Sequence, residues 1–244
     1  MAISEIINYT FKSYFSGIKL ILFFSLPLLL AFLIPIFVGT PTFIALGSVY
    51  LRTGSIPAIT DAEIAVMAFS FLTSLFLISF TIVNINLVIK SQRTGTFVKK
   101  DVLDGIGRYT LNVFWIYLTL ELVFLIIQLS LSETSYGHIL SPLLMLLVSI
   151  PVFYAPAALV IDEVRPWRAL ENSTWMVIRK LPLFILWVAL GFIVLSLADV
   201  ILLAIPGLSE AAPYLAMLAN SLLLMPFLLV LQTQIYLTKY TIIN

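Results

Sequence analysis

The sequence predicts an all-α integral membrane protein with six transmembrane helices and both termini in the cytoplasm. Of its 244 residues, 61% are hydrophobic and 10% are charged, whereas soluble domains average about 45–50% apolar and about 25% charged residues. Six segments are long and apolar enough to cross about 30 Å of hydrocarbon. The basic residues fall almost entirely on one side of these segments. Together these observations favour a single polytopic membrane domain, residues 1–244.

The six predicted spans are runs of about 20 or more mainly apolar residues. They are Ile18–Val38, Ala62–Ile89, Tyr109–Leu131, Ile139–Ile161, Leu183–Ile205 and Tyr214–Leu237. The second is longer than a bilayer requires, so we expect it to tilt or protrude. The first residues contain no basic region and no small-residue cleavage site. We therefore expect no cleaved signal peptide and expect span 1 to act as its own insertion signal.

The distribution of Lys and Arg predicts the orientation. With the N-terminus inside, Arg52 is the one basic residue on the outer side. The inner side then carries Lys12, Lys19, Lys90, Arg93, Lys99, Lys100, Arg108, Arg165, Arg168, Arg179, Lys180 and Lys239. This asymmetry agrees with the positive-inside rule, and five or seven spans would abolish it. We therefore predict a multi-pass protein of the cell membrane whose first partner is the lipid bilayer.

A short amphipathic helix is predicted on the inner side before each of spans 1, 3 and 5. Ile and Phe recur at helical spacing before span 1, Thr96 caps the second helix, and Pro166 suits the first turn of the third. Such helices lie in the membrane interface. The layout allows three units of interfacial helix plus hairpin, 1–90, 91–161 and 162–244. Alternatively, any inner loop close to a membrane becomes amphipathic, and no repeat is implied.

The stretch from Pro151 to Trp175 has the sequence PVFYAPAALVIDEVRPWRALENSTW. It resembles a loose, largely archaeal group of uncharacterised prokaryotic six-helix membrane proteins, related to the membrane domain of some glycerophosphodiester phosphodiesterases. In that group a proline-broken fourth span ends in an aliphatic–acidic turn. A helix with an Ala-Leu-x-x-Ser core, here Ala169, Leu170 and Ser173, then leads into the fifth span. The resemblance implies the six-helix fold but no reaction, because the phosphodiesterase domain itself is absent.

Glu121 is the most informative polar residue inside a predicted span. It lies near the middle of span 3, where an ionised carboxylate costs several kcal/mol, and no Lys, Arg or His is predicted in the membrane core of any span. Thr110, Tyr117, Gln128 and Ser132 recur at steps of seven and four residues with Glu121, so all five share one helical face. This stripe is the predicted polar surface of span 3.

A second polar stripe follows span 2, where Ser70, Ser74, Thr81 and Asn84 recur at similar spacing. Two such stripes on neighbouring helices would line a wet seam for a proton, an ion or a small polar solute. The alternative is that these groups only join helices by hydrogen bonds, as Ser, Thr and Asn commonly do in membranes.

Two further polar sets lie nearer the membrane surfaces. Asp199 and Asn220 lie about six residues from the outer ends of spans 5 and 6, roughly 9 Å below the surface. The short loop between these spans predicts a hydrogen bond between the two residues, with an ion site as the alternative.

On the inner side, Asp162, Glu163, Arg165 and Arg168 lie close together in sequence. They predict an interfacial ion network or, alternatively, a docking surface for a soluble partner or a lipid headgroup.

The residue inventory argues against several classes of function. The chain has no Cys and one His, which excludes thiolate sites and a multi-histidine metal site. It contains no nucleophile–base–acid set, phosphate loop or dinucleotide motif. We therefore expect no catalytic residue, no cofactor and no metal. The net charge of +1 argues against a nucleic-acid partner.

Two functional hypotheses remain open, and a lipid-acting enzyme is disfavoured. The first is a transport-related protein, a small permease, channel or accessory subunit, with the Glu121 stripe as its path. Because six helices barely enclose a pore, this route favours a homo-oligomer or a membrane-complex partner. The second is a non-catalytic structural or interaction module that organises lipid or docks a cytoplasmic partner. Transport is slightly favoured, because a membrane carboxylate such as Glu121 is expensive to keep.

Overall fold

A computed structural model describes residues 3–38, 59–94, 98–132, 134, 136–205 and 211–240. Within these residues the chain is helical throughout apart from short turns, and it contains no β-strand. Six of the described helices are long and apolar enough to cross a membrane. The prediction of an all-α chain with six apolar helices of spanning length is therefore confirmed.

The spans begin and end close to the predicted residues. They are Ile18–Val38, Asp61–Thr94, Gly107–Leu131, Gly137–Ile161, Leu181–Ala204 and Ala212–Tyr240, called spans 1 to 6 below. Span 2 continues to Thr94 as a helix of 34 residues. At 1.5 Å per residue it is about 51 Å long, so it extends well beyond the hydrocarbon, as its sequence predicts.

Two short helices accompany the spans. The N-terminal helix is Ile3–Ser16 and the connecting helix, which leads into span 5, is Pro166–Arg179. Before span 3 the structure differs from the prediction of a separate helix. One unbroken helix runs from Val98 to Leu131, and the predicted cap Thr96 lies outside the described residues.

The N-terminal helix packs mainly against span 6, the last helix of the chain. The Tyr14 hydroxyl donates to the Leu223 carbonyl at 3.2 Å, and the rings of Phe11 and Phe227 lie 5.0 Å apart. The helix ends at a close approach to span 2, where a Cβ on Gly17 would lie 2.4 Å from the Gln92 amide nitrogen. Glycine therefore allows the chain to turn into span 1 against span 2.

Span 2 is the centre of the bundle. It packs against spans 1 and 3 along most of its length and against the C-terminal parts of spans 4 and 6. Nine consecutive residues, Thr81–Ile89, are all buried. A helix buried on every face is surrounded by other helices. The C-terminal halves of spans 2, 4 and 6 therefore form the core, and we call the end with Lys90, Arg93 and Lys239 the basic end.

Span 4 is broken at Tyr154, between the segments Gly137–Phe153 and Ala155–Ile161. Pro156 causes the break, because proline has no N–H and its ring collides with the carbonyl four residues earlier. In an unbroken helix the Tyr154 N–H would donate to the Ile150 carbonyl. Here the Ser173 hydroxyl is inserted between them. It accepts from the Tyr154 N–H at 2.8 Å and donates to the Ile150 carbonyl at 3.4 Å.

Span 6 supports the same break from the other side. The Gln232 amide nitrogen donates to the Phe153 carbonyl at 2.5 Å. The Phe153 ring also lies 4.8 Å from both Phe184 and Trp187 of span 5. Span 5 otherwise packs mainly against span 6 and exposes most of its surface. The broken turn of span 4 therefore joins the connecting helix and spans 5 and 6.

We expect Ser173→Ala to destabilise the fold, because the buried Tyr154 N–H loses its side-chain acceptor and keeps only the carbonyl of Val152, two residues earlier. Loss of a hydrogen bond at a buried donor costs up to about 1–3 kcal/mol. Thermal unfolding of the purified protein in lipid nanodiscs measures this loss. Ser149→Ala is the matched control, because the Ser149 hydroxyl bonds only to its own helix at the Leu146 carbonyl. Equal unfolding temperatures for the two variants would contradict the structural role of Ser173.

Candidate functional site

Four side chains around span 2 carry a buried polar atom that has no hydrogen-bond partner among the described residues. These atoms are the hydroxyls of Thr81, Thr110 and Tyr154 and the side-chain carbonyl of Asn84. Thr81 and Asn84 belong to span 2, Thr110 to span 3, and Tyr154 to the break in span 4. We call these four residues the polar layer.

The packing of the spans places these residues at one depth. The Phe76 ring of span 2 and the Phe114 ring of span 3 are 6.2 Å apart, so these two residues lie at a similar depth. Spans 2 and 3 are antiparallel, so Thr81, five residues after Phe76, is level with Tyr109, five residues before Phe114. The Lys90 amine donates to the Val160 carbonyl at 3.0 Å. Spans 2 and 4 are parallel, so Asn84, six residues before Lys90, is level with Tyr154, six residues before Val160. The polar layer therefore spans about one helical turn, roughly 9–15 Å from Lys90 along the axis.

Orphaned polar atoms at one depth need an explanation in a membrane protein. A buried group without a partner costs about 1–3 kcal/mol, and more than 90% of buried polar groups in proteins are paired. The Asn84 amide nitrogen does donate, to the Phe80 carbonyl at 2.7 Å, so only its oxygen is free. Such an arrangement suits bound water or a small polar solute that supplies the missing hydrogen bonds.

The predicted stripe on span 3 leads from the polar layer to Glu121. Thr110 is buried, Tyr117 is half-buried and packs against the core, and Glu121 is exposed. Because these residues are seven and four positions apart, they lie on one side of the helix. The stripe therefore runs from a buried end at Thr110 to an accessible end at Glu121.

Glu121 does not lie at the centre of the lipid-facing side of span 3. That side carries Trp115, Leu122 and Ile126, each more than half exposed. Glu121 is seven residues from both Phe114 and Gln128 and shares their face. Phe114 contacts Phe76 of span 2, and the Gln128 amide nitrogen lies 3.8 Å from the Met145 sulfur of span 4. We call the face with Phe114, Glu121 and Gln128 the Glu121 seam, since it borders spans 2 and 4.

The outer part of the second stripe has a structural role. The Ser74 hydroxyl donates to the Ala31 carbonyl of span 1 at 3.0 Å. Nearby Ser79, which is not part of the predicted stripe, donates its hydroxyl to the Leu75 carbonyl of its own helix at 2.8 Å. The Ser74 hydroxyl therefore joins span 2 to span 1, and the Ser79 hydroxyl has its partner within span 2. Only Thr81 and Asn84 of this stretch retain an unpaired buried atom.

At the basic end, the Asp162 carboxylate accepts four hydrogen bonds. The donors are Lys239 at 2.8 Å, the Tyr236 hydroxyl at 2.6 Å, the Asn172 amide at 3.1 Å and the Tyr240 hydroxyl. Burial raises the pKa of Asp162, but the bonds from Lys239 and the two tyrosines outweigh it, so the pKa lies below its ordinary value. One carboxylate thus ties the ends of spans 4 and 6 to the connecting helix.

The predicted inner network has different partners from those expected. Glu163 pairs with Lys90 at 2.5 Å and Asp162 with Lys239, so both acids bind lysines of other spans. Arg165 and Arg168 are exposed, and no ion pair of theirs is present in the described part of the chain. The reason is the orientation of the connecting helix, which turns Ala169, Ser173, Met176 and Val177 inward. Arg168 therefore faces outward.

Sequence reasoning missed Lys239, Tyr236 and Tyr240, because they lie more than 70 residues from Asp162 in the chain. A lysine between two tyrosines at the end of the last span was the available signal. Asp199 and Asn220 are joined as expected, with the Asn220 amide nitrogen donating to Asp199 at 3.2 Å. Among the described residues no group of three or more His, Cys, Asp or Glu residues could hold a metal ion.

Comparison with family models, with curated proteins and with solved structures finds no match to this chain. Its function is therefore inferred from the arrangement of its own residues.

Asp162→Asn tests the carboxylate at the basic end. We expect a loss of about 1–3 kcal/mol at neutral pH, because hydrogen bonds to a charged acceptor are replaced by weaker ones. The folded-state pKa is lowered, so the wild-type advantage exists above the unfolded pKa of about 3.9 and is lost as pH falls through the folded value.

Thermal unfolding in nanodiscs between neutral pH and about pH 3 measures this difference across the titration of an ordinary Asp. Glu163→Gln is the matched control, because the Glu163 side chain is 56% exposed and an exposed ion pair contributes little. A wild-type advantage over Asp162→Asn that persists unchanged in acid would contradict this role of the Asp162 charge.

Proposed function

We propose that this chain is a transport-related protein of the cell membrane, a small permease, channel or accessory subunit, with both termini in the cytoplasm. Its path begins at the Glu121 seam, follows Tyr117 and reaches the polar layer. The observation that carries the proposal is the set of four buried polar atoms without partners at one depth. A proton or small polar solute, with water, would supply the bonds these atoms lack.

The alignment on span 3 supports this path. An intramembrane carboxyl group usually faces a bundle interior or a water-filled cavity and marks a solute or proton pathway. Glu121 lies on the seam side of span 3, and Tyr117 and Thr110 continue from it toward the basic end. Tyr117 can both donate and accept a hydrogen bond, so it bridges a carboxyl group and the polar layer chemically.

Beyond the polar layer the path is closed toward the basic end. Ile85 and Ile89 of span 2 and Leu159 and Val160 of span 4 have no exposed surface. Opening this side requires movement of the short segment Ala155–Ile161. The break at Tyr154 is the point at which this segment turns once the hydrogen bonds from Ser173 and Gln232 that brace the break are released.

Two sequence features support the cellular placement. The basic residues gather at one end of the bundle, as the positive-inside rule requires of a cytoplasmic face. The resemblance of the Pro151–Trp175 stretch to six-helix prokaryotic membrane proteins agrees with this topology. It carries no information about the solute.

Cysteine accessibility tests the path directly, because the chain contains no Cys. A thiol reacts as the thiolate and therefore needs water. In nanodiscs we expect Glu121→Cys and Tyr117→Cys to react with a charged maleimide at least about tenfold faster than Ile126→Cys, the lipid-facing control on the same helix. Equal rates at Tyr117→Cys and Ile126→Cys would mean that the stripe is dry and would refute the path.

A second candidate function is an interaction module that docks a cytoplasmic partner or organises lipid. The connecting helix favours it, since its outer face exposes Trp167, Trp175 and Ile178 beside Arg168. The Arg179 guanidinium also lies 5.1 Å from the centre of the Trp175 ring. Tryptophan and arginine together are typical of a helix at a membrane surface.

Two substitutions discriminate between these functions. Transport predicts that Glu121→Gln folds normally but reduces solute-driven or proton flux into vesicles at least about tenfold, as loss of a required proton carrier does. Arg168→Glu then leaves the flux unchanged. An interaction module predicts the reverse sensitivity, with Arg168→Glu abolishing co-purification of the partner. Proteoliposomes carrying a pH-sensitive dye give the flux, with empty vesicles as the baseline.

A further inference from the structure

A cavity lies between spans 1, 5 and 6 at the end of the bundle opposite the basic end. Its volume is about 490 Å³, within the range of small-molecule sites. Most of its wall is apolar, with Phe32 from span 1, Leu195 from span 5 and Met217 from span 6. Among the described residues that line it, the polar side chains are those of Asp199 and Asn220. It does not include any residue of the Glu121 stripe or the polar layer.

The polar part of the cavity offers hydrogen-bond acceptors. The Asn220 amide nitrogen already donates to one Asp199 oxygen at 3.2 Å. The Asn220 side-chain oxygen is buried and has no partner among the described residues. Asp199 adds its second carboxylate oxygen, and no Lys, Arg or His is among the described residues that line the cavity. The pair therefore offers the Asp199 carboxylate to whatever enters, and the unpaired Asn220 oxygen is buried beside it.

The backbone at this point is irregular as well. Asn220 begins a π-helical turn, Asn220–Leu224, inside span 6. Such turns interrupt regular helix bonding and occur frequently at functional sites. The turn belongs to the same stretch of chain as the orphaned Asn220 oxygen, and Met225, directly after it, also lines the cavity. The irregular backbone thus coincides with the polar part of the wall that the described residues form.

We propose that this cavity binds a membrane-soluble amine, an amphiphile with a protonated ammonium group and an apolar body. The ammonium group donates to Asp199 and to the Asn220 oxygen, and the body lies between Phe32, Leu195 and Met217. A charged donor forms the strongest hydrogen bonds with a carboxylate. Asp199 lies five residues before the end of span 5 at Ala204, about 7.5 Å from the helix end, so the amine reaches the site from the membrane surface.

Other occupants satisfy the site less well. A carboxylate or phosphate would be repelled by Asp199. A bare hard cation such as Ca²⁺ takes six to eight oxygen ligands, and two side chains supply too few. An acyl chain of the bilayer would fill the apolar part but leave the Asn220 oxygen without a donor, at the usual cost of a buried unpaired group. An amphiphilic amine suits both the apolar lining and the polar pair Asp199 and Asn220.

The test compares decylamine with decanol, which have the same chain and differ in the headgroup. Binding is measured as the rise in unfolding temperature of the protein in neutral phosphatidylcholine nanodiscs during titration of each compound. We expect the amine to bind at least about tenfold more tightly than the alcohol, and Asp199→Asn to remove this preference, because it deletes the charged acceptor. Asp61→Asn is the matched control, since Asp61 is an exposed acid at the same end outside the cavity.

Ala216→Phe provides a second, independent variant, because Ala216 lines the cavity and the larger side chain fills it. It should abolish the amine response even though Asp199 is retained. Equal responses to amine and alcohol, or an amine preference that survives either Asp199→Asn or Ala216→Phe, would overturn the proposal. The result is independent of the vesicle flux that tests transport.

Discussion

The arrangement of the core depends on the two hydrogen bonds that the Ser173 hydroxyl makes with the backbone of span 4. Pro156 interrupts the helix of span 4 and leaves backbone N–H and C=O groups without their helical partners. The hydrocarbon contains no water that could bind these groups. Ser173 and Gln232 supply those hydrogen bonds from the connecting helix and span 6. Because the break is stabilised, Ala155–Ile161 can pack against span 2 while the earlier part of span 4 stays against span 3. The closed core of spans 2, 4 and 6 follows from this.

The two ends of the bundle are built differently. Near the basic end, Asp162 binds Lys239 of span 6, and Lys90 of span 2 binds the Val160 carbonyl of span 4. The neighbouring residues 81–89 of span 2 and 154–160 of span 4 are buried. The Glu121 seam borders spans 2 and 4, and the cavity at Asp199 lies between spans 1, 5 and 6. Polar groups at the basic end satisfy one another, whereas those farther into the membrane keep free acceptors. Hydrogen bonds between charged side chains of different helices are therefore concentrated at the basic end, and unpaired polar atoms lie farther from it.

The sequence predicts what depends on local pattern. Runs of apolar residues define the six helices, and spacings of seven and four place Tyr117 and Glu121 on one face. Pairings across the bundle could not be predicted, because Lys239 meets Asp162 only through the packing of spans 4 and 6. The same holds for Ser173, whose Ala-Leu-x-x-Ser context was noticed without its role in span 4. That Ser74 joins span 1 while Asn84 keeps a free oxygen depends on which neighbour each side chain meets.

The docking of the N-terminal helix against span 6 has a consequence for biosynthesis. The Ser13 hydroxyl accepts from the Gln234 amide, 221 positions later in the chain. At about 5–20 residues per second, the first helix waits roughly 10–45 s before its main partner has been synthesised. Meanwhile its apolar face, with Ile6 and Tyr14, can rest in the lipid headgroup region. The N-terminal helix is therefore among the last of the described helices to reach its final packing.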